Sequence, residues 1–361
     1  MGMFSKLNES LDMPAQRHPL RPWHWLLLLL LIAGTVYVII ENPANKGKSP
    51  DQASYLKCEG NIFGTIYHMT YLSTTDLSEG IDSVLQDVDA SLSPFNPNSV
   101  ITAINNGTSM STDDHFCNVF RLAKTISAET DGAFDITVAP LVNAWGFGFK
   151  NRQTITDSLI QSLLTHVGIE KVELNASGEI EKADTAVMLD MSAIAKGYGV
   201  DAVGLYLESM GVDNYMVEIG GEVRVRGNNH KGNPWNIGIM RPEADSLCQQ
   251  TEIEQVISVT DISMATSGNY RNFYEEGGRR YAHTIDPHTG RPVQHTLLSA
   301  TVLASDCATA DAYATAFMVM GLKRSQQLLH RHPELQAYLI YSDDTHPYAV
   351  WQTDNIPLQS K

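Results

Sequence analysis

Positive charge is scarce in this 361-residue chain: 25 Lys and Arg stand against 41 Asp and Glu, a formal net charge of −16. Nucleic acid is bound through a basic footprint, so wrapping DNA or RNA is excluded as a role. An anionic substrate would have to be held by a metal or by local dipoles. Cysteine is also rare. Cys58, Cys117, Cys248 and Cys307 are too far apart for a CxxC pair or a zinc spacing, which removes those chemistries. They read as small apolar fillers, with a disulfide left open. There is no P-loop, no strand–GxGxxG–helix unit, no HExxH and no GxSxG elbow. The common nucleotide-binding loops, the zinc peptidases and the α/β-hydrolases are thereby excluded. No short repeat and no low-complexity block occurs, so the chain is not a solenoid.

Long hydrophobic runs are confined to one place. Residues 22–40 contain no Asp, Glu, Lys or Arg and include the run Leu26–Leu31. Nineteen residues at about 1.5 Å each nearly span a bilayer core of about 30 Å. Trp23, Trp25 and Tyr37 suit the two interfaces. No A-x-A site and no nearby lipobox cysteine follows, which favours an uncleaved anchor over a signal peptide. Lys6, Arg17 and Arg21 precede the span and Lys46, Lys48 and Lys57 follow it, so the flanking charges leave its orientation open. The expected organisation is a short N-terminus (1–21), a transmembrane anchor (22–40), a polar linker (41–54) with Pro43, Gly47 and Pro50, and one large folded domain (55–361).

The domain mixes strand and helix patterns. Ile62–Tyr71 is read as one strand, and Leu77–Leu92 and Asp114–Thr130 as helices. Val200, Val203, Leu207 and Met210 share a helical face that Gly211 closes. Tyr215, Val217 and Ile219 alternate. Gly220-Gly221 then breaks the chain before a second, half-exposed strand carrying Val223 and Val225. Leu298–Leu303 reads as a strand and Ala308–Gly321 as a helix. This order is not a steady βαβ alternation, so α+β is expected rather than a doubly wound sheet.

Four segments carry possible chemistry. Asp311-Ala-Tyr-Ala-Thr315 places a carboxylate and a hydroxyl on one helical face, where both can reach a hard cation such as Mg²⁺. The same spacing equally fits a helix-start Asp and a back-bonding Thr. In Leu189-Asp-Met-Ser-Ala-Ile-Ala-Lys196 a strand-like run leads to Asp190 and Ser192, both credible N-caps. A helix start with Lys196 in its early turns can hold an anion, or can be an ordinary capped helix. His283, in Tyr281-Ala-His-Thr-Ile-Asp-Pro287, falls at a strand end beside a turn and can act as a general base or sit as a structural imidazole. His288, His330 and His332 look solvated. Gly132-Ala-Phe-Asp135 to Pro140, followed by Trp145-Gly-Phe-Gly148, can stack a planar ring or pack a loop.

Taken in order, these segments resemble the ApbE-type FAD:protein FMN transferases from about Gly60 to Gly321. The resemblance adds Phe63-Gly-Thr65, Ser91-Leu-Ser-Pro-Phe95 with Ser99 and Asn105, Glu218-Ile-Gly-Gly-Glu222, Ala265-Thr-Ser-Gly-Asn-Tyr-Arg271 and Ala310-Asp-Ala-Tyr-Ala-Thr-Ala316. It implies an α+β fold related to T-fold proteins, FAD as substrate and Mg²⁺ as cofactor. It implies transfer of FMN to a threonine hydroxyl of acceptor proteins in membrane redox complexes, with release of AMP. By motif position, Asp311, Thr315 and the Ala193 carbonyl would hold the metal. Phe63, Phe95, Ala133, Phe134, Asp135, Asp190, Lys196 and Ile285 would contact FAD, and His283 would be the acid/base. It also implies a domain on the periplasmic side of a bacterial inner membrane. Two other expectations share these motifs: an FAD pyrophosphatase that uses water as acceptor, and a non-catalytic flavin carrier.

Overall fold

The computed structural model describes residues 53–242, 252–269, 273–276 and 279–359. The expected anchor (22–40) and almost all of the linker lie outside the described residues, as do Cys248, Tyr270 and Arg271. Among the described residues no helix is long and apolar enough to cross a membrane.

Strands β1 (Ser54–Ile62) and β2 (Thr65–Ser73) pair antiparallel, with Ile62 opposite Thr65. Phe63 and Gly64 between them have φ of 52° and 72°, the positive pair whose twist suits a two-residue hairpin. The single strand expected over Ile62–Tyr71 therefore merges the end of one strand, a turn and most of the next. Helix α1 (Ser78–Leu92) buries Ile81, Leu85, Val88 and Leu92 at helical spacing. Full burial of such side chains contributes roughly 1.5–3 kcal/mol each. Helices α2 (Val100–Asn106) and α3 (Asp114–Glu129) start at Ser99 and Asp113, whose side chains accept the Thr102 and Phe116 N–H groups. Then come α4 (Ala139–Trp145), α5 (Asp157–Leu164) and the small hairpin of β3 (Val172–Leu174) and β4 (Ile180–Lys182).

Helix α6 (Ser192–Ser209) leads to β5 (Tyr215–Ile219) and β6 (Glu222–Arg226), joined by the Gly220-Gly221 turn. Val200, Val203 and Leu207 are buried as expected. Met210 is not: it follows the helix as its C-cap and is 53% exposed. The hairpin of β7 (Trp235–Met240) and β8 (Ile253–Val259) precedes β9 (Ile262–Gly268). Two short hairpins follow, β10 (Phe273–Glu276) with β11 (Arg279–Ala282), and β12 (Ile285–Asp286) with β13 (Arg291–Pro292). The chain ends with β14 (Leu297–Ala304), α7 (Cys307–Arg331), β15 (Gln336–Tyr341) and β16 (Ala349–Gln352). Gly321, with φ 72° and ψ 173°, breaks α7 where the expected helix ends.

The main sheet runs β1-β2-β5-β6-β9-β14-β15-β16 with every neighbouring pair antiparallel. This is the expected α+β arrangement. Its middle strands are covered on both sides. Ala265, Ala300, Val302, Ala337 and Leu339 pack with α2, α3, α6 and α7. The alternate residues Met264, Leu303, Tyr338 and Ile340 meet the β7–β8 hairpin. Strand β6 is enclosed in the same way, so Glu222 is only 3% exposed. The strand is half-exposed as expected only toward its end, where the Arg226 side chain is 40% exposed; α6 and α7 pack over its start.

Helices α6 and α7 cross closely. A Cβ on Gly197 would lie 2.3 Å from the Cys307 carbonyl oxygen, so only glycine permits this crossing. Asp201 on α6 accepts the Cys307 and Ala308 N–H groups at 2.9 and 2.8 Å and pairs with Arg224 at 2.8 Å. That carboxylate caps the first turn of α7. Replacing Gly197 by Ala will lower stability by about 1–3 kcal/mol, because the close neighbour is backbone and the helices must separate. Urea unfolding checks it; an unchanged midpoint would contradict the close crossing.

Candidate active site

A cavity of about 440 Å³ opens where α6 and α7 meet the ends of β6 and β9. The helix α7 supplies Asp311 and Thr315, one turn apart on its buried side. Asp311 is 2% exposed, and its Oδ2 accepts the Gly197 N–H at 3.0 Å. In a regular helix that N–H faces the carbonyl four residues back, here Ala193. The bond therefore sets the Asp311 carboxylate beside the Ala193 carbonyl, and both Ala193 and Thr315 line the cavity.

Lys196 does not stand alone to receive an anion. Its Nζ lies 2.7 Å from Glu222 Oε1 and 3.9 Å from Asp311 Oδ1. Burial works against its charge, but the Asp311 and Glu222 carboxylates outweigh that and push its pKa up. Burial pushes the Glu222 carboxyl up to about 7, against the pull of Lys196. Glu222 Oε2 is buried and has no hydrogen-bond partner. Two carboxylates share one ammonium here, leaving the cluster a negative charge in need of a cation or a donor.

A folded-state pKa above the free value means stability is present at low pH and lost as pH rises through the folded value. Relative to wild type, a Glu222→Gln variant in chelator will therefore gain stability between about pH 4.5 and about pH 7. The gain is on the order of 1–3 kcal/mol. Melting curves across that range test it; a constant difference between the two proteins would contradict it.

The run before α6 is held differently from expectation. Residues 187–191 form no strand. Instead Asn105 bonds both the N–H and the carbonyl of Leu189, each at 2.8 Å, and Asp190 N–H reaches the Ile136 carbonyl. An amide side chain thus takes the place of a neighbouring strand. Met191 is the N-cap of α6 and Ser192 its first residue, while Asp190 Oδ1 accepts the Ser192 N–H at 2.8 Å. Burial raises the Asp190 carboxyl.

Of the other expected flavin contacts, Phe95, Ala133, Phe134, Asp135, Asp190, Lys196 and Ile285 all line this one cavity, as does His283. Phe95 sits 65% exposed, edge-on to Phe149. The Asp135 oxygens are engaged locally, by the Thr137 N–H and hydroxyl and by the Ile169 N–H, so this carboxylate shapes the loop. His283 stands between β11 and β12, its ring edge-on to Phe147. Phe63 is the exception. It does not line the cavity, because the hairpin turn lays its ring on Gly199 of α6, where an added Cβ would come within 2.6 Å of it. His332 is also not merely solvated: it bonds Glu334 and packs on Tyr313. Cys58, Cys117 and Cys307 are free thiols.

Glu222 and Ser267 also line the cavity, although neither carries a role in the motif reading. A larger cleft of about 940 Å³ borders it across Val319, but no buried carboxylate lines that cleft. Among the described residues, no group of three or more His, Cys, Asp and Glu gathers around a point. A cation at Asp311 would thus have one protein carboxylate and neutral oxygens. That donor set suits Mg²⁺, which commonly keeps waters and completes its shell with substrate phosphates. The residues fit the metal.

The ApbE family model matches residues 63–339. This chain belongs to the ApbE family. It is 37% identical over 309 residues to the FAD:protein FMN transferase of Haemophilus influenzae, covering 81% of this chain and 88% of that one. It is 36% identical over 335 residues to the protein of the same name from Vibrio cholerae, covering 89% and 95%. Among solved structures, the flavin transferase ApbE from Vibrio cholerae superposes with a TM-score of 0.75 at 35% identity, covering 84% of this chain and 98% of that one. The apo flavinyl transferase ApbE of Pseudomonas stutzeri gives 0.74 at 29% identity, covering 85% and 97%. These ApbE proteins thus share the fold described above over nearly their whole length.

Proposed function

We propose that this ApbE-family chain is a Mg²⁺-dependent FAD:protein FMN transferase that acts on a threonine hydroxyl. The observation that carries the reading is the meeting of Asp311, Thr315, Ala193 and His283 in one cavity.

The acceptor oxygen attacks the FMN-side phosphorus of FAD, and the bond from that phosphorus to the bridging oxygen breaks. FMN becomes a phosphodiester on the acceptor and AMP leaves. His283 takes the hydroxyl proton, a task suited to a near-neutral imidazole. Asp311, Thr315 and the Ala193 carbonyl would hold a Mg²⁺. Bound there, the ion supplies positive charge to the pyrophosphate oxygens, which phosphoryl transfer requires. Lys196 keeps the paired carboxylates from repelling the substrate. Phe134 and Ile285 offer buried apolar surface, and Phe95 an exposed ring, for the planar flavin.

In this reading the uncharged stretch 22–40 anchors the domain on the periplasmic side of a bacterial inner membrane, where redox complexes serve as acceptors. Incubation with FAD, Mg²⁺ and a membrane fraction from a bacterium deleted for its own family member tests the reading. Covalent flavin on acceptor proteins supports it. FMN and AMP accumulating without labelled acceptor would make the chain a pyrophosphatase, and FAD retained intact would make it a carrier.

A further inference from the structure

We propose that Ser267 is a positioning residue for the cation site, one that orients the Thr315 hydroxyl; this rests on the Mg²⁺ reading above. Ser267 lies near the end of β9, and its Oγ is 3.1 Å from Thr315 Oγ1. Both residues are half-buried and line the cavity. The register explains the meeting. Ala265 packs among the helices, and Ser267, two residues on, projects from the same side of the strand toward α7. Thr266 points the other way and bonds Thr301 across the sheet.

A hydroxyl has one proton and two lone pairs. When Thr315 Oγ1 donates a lone pair to a cation, its proton must point away from that cation. A helical threonine otherwise turns this proton back to the carbonyl four residues earlier, here that of Asp311. Ser267 Oγ offers an acceptor outside the helix. It holds the Thr315 proton toward β9 and leaves a lone pair facing the side where Asp311 lies. Metal ligands are commonly fixed by such partners, whose loss weakens metal affinity by about 10–100-fold.

The test is Mn²⁺ binding to the purified full-length chain, read from the loss of the free-ion electron paramagnetic resonance signal. Ser267→Ala should weaken binding about 10-fold, and Ser267→Thr should restore most of it. In a Thr315→Ala background, adding Ser267→Ala should have no further effect. Wild-type affinity in Ser267→Ala, or equal losses with and without Thr315, would overturn the assignment while leaving the metal reading intact. If wild type itself binds no Mn²⁺, or Asp311→Ala binds as well as wild type, the metal reading fails and the assignment falls with it. Matching circular dichroism and melting curves for the variants exclude unfolding as the cause of a loss.

Discussion

Replacing Asp311 by Ala will abolish cation binding and lower FAD turnover by about three orders of magnitude. The chain is acidic overall, and the cavity cluster holds two carboxylates against one ammonium. A pyrophosphate entering such a site needs added positive charge, and Asp311 is the carboxylate beside the Ala193 carbonyl and on the Thr315 face. Losing a bound metal removes several kcal/mol of transition-state stabilisation, and each 1.4 kcal/mol or so is tenfold in rate. Asp311→Asn separates chemistry from folding. Its amide oxygen can still accept the Gly197 N–H, so the fold should survive while metal affinity collapses. Calorimetric Mg²⁺ titration with steady-state AMP release measures both. Full Mg²⁺-dependent turnover in Asp311→Ala would remove this residue from the metal site.

His283→Ala will slow transfer by about 10²–10⁴-fold while leaving FAD affinity within a few-fold of wild type. General acid–base groups contribute on that scale, and their removal acts on the rate rather than on binding. Position supports the split. His283 stands at the cavity wall against Phe147, whereas Phe134 and Ile285 give the cavity its buried apolar surface. Flavin fluorescence quenching gives the affinity and single-turnover AMP release gives the rate. Unchanged turnover would take His283 out of the mechanism; a rate loss matched by lost affinity would make it a binding residue instead.

Much of this site was legible because its residues lie on regular elements. Asp311 and Thr315 sit four apart on a helix, and the alternation of Tyr215, Val217 and Ile219 led straight to the Gly220-Gly221 turn. Other features depend on an unusual backbone angle or on partners far away in the chain. The Phe63-Gly64 turn hides inside a β-rich stretch, because a phenylalanine gives no sign that it will adopt a positive φ. The run before Asp190 looks like a strand, but its partner is the Asn105 side chain, 84 residues away. Glu222 opens the strand read as half-exposed from the alternation of Val223 and Val225 with Arg224 and Arg226. Only the packing of α6 and α7 over that strand buries Glu222 and pairs it with Lys196. Ser267 stood in a recognised motif without a role until the α7–β9 contact gave it one.

On this mechanism the cavity transfers FMN to protein rather than to water. The most direct measurement is in-gel flavin fluorescence of the acceptor membrane fraction after incubation with this chain, FAD and Mg²⁺, with AMP quantified in the same reaction. Fluorescent bands that survive denaturation, require Mg²⁺ and match the released AMP mole for mole are the predicted result. AMP and free FMN forming at full rate with no denaturation-resistant band would contradict it.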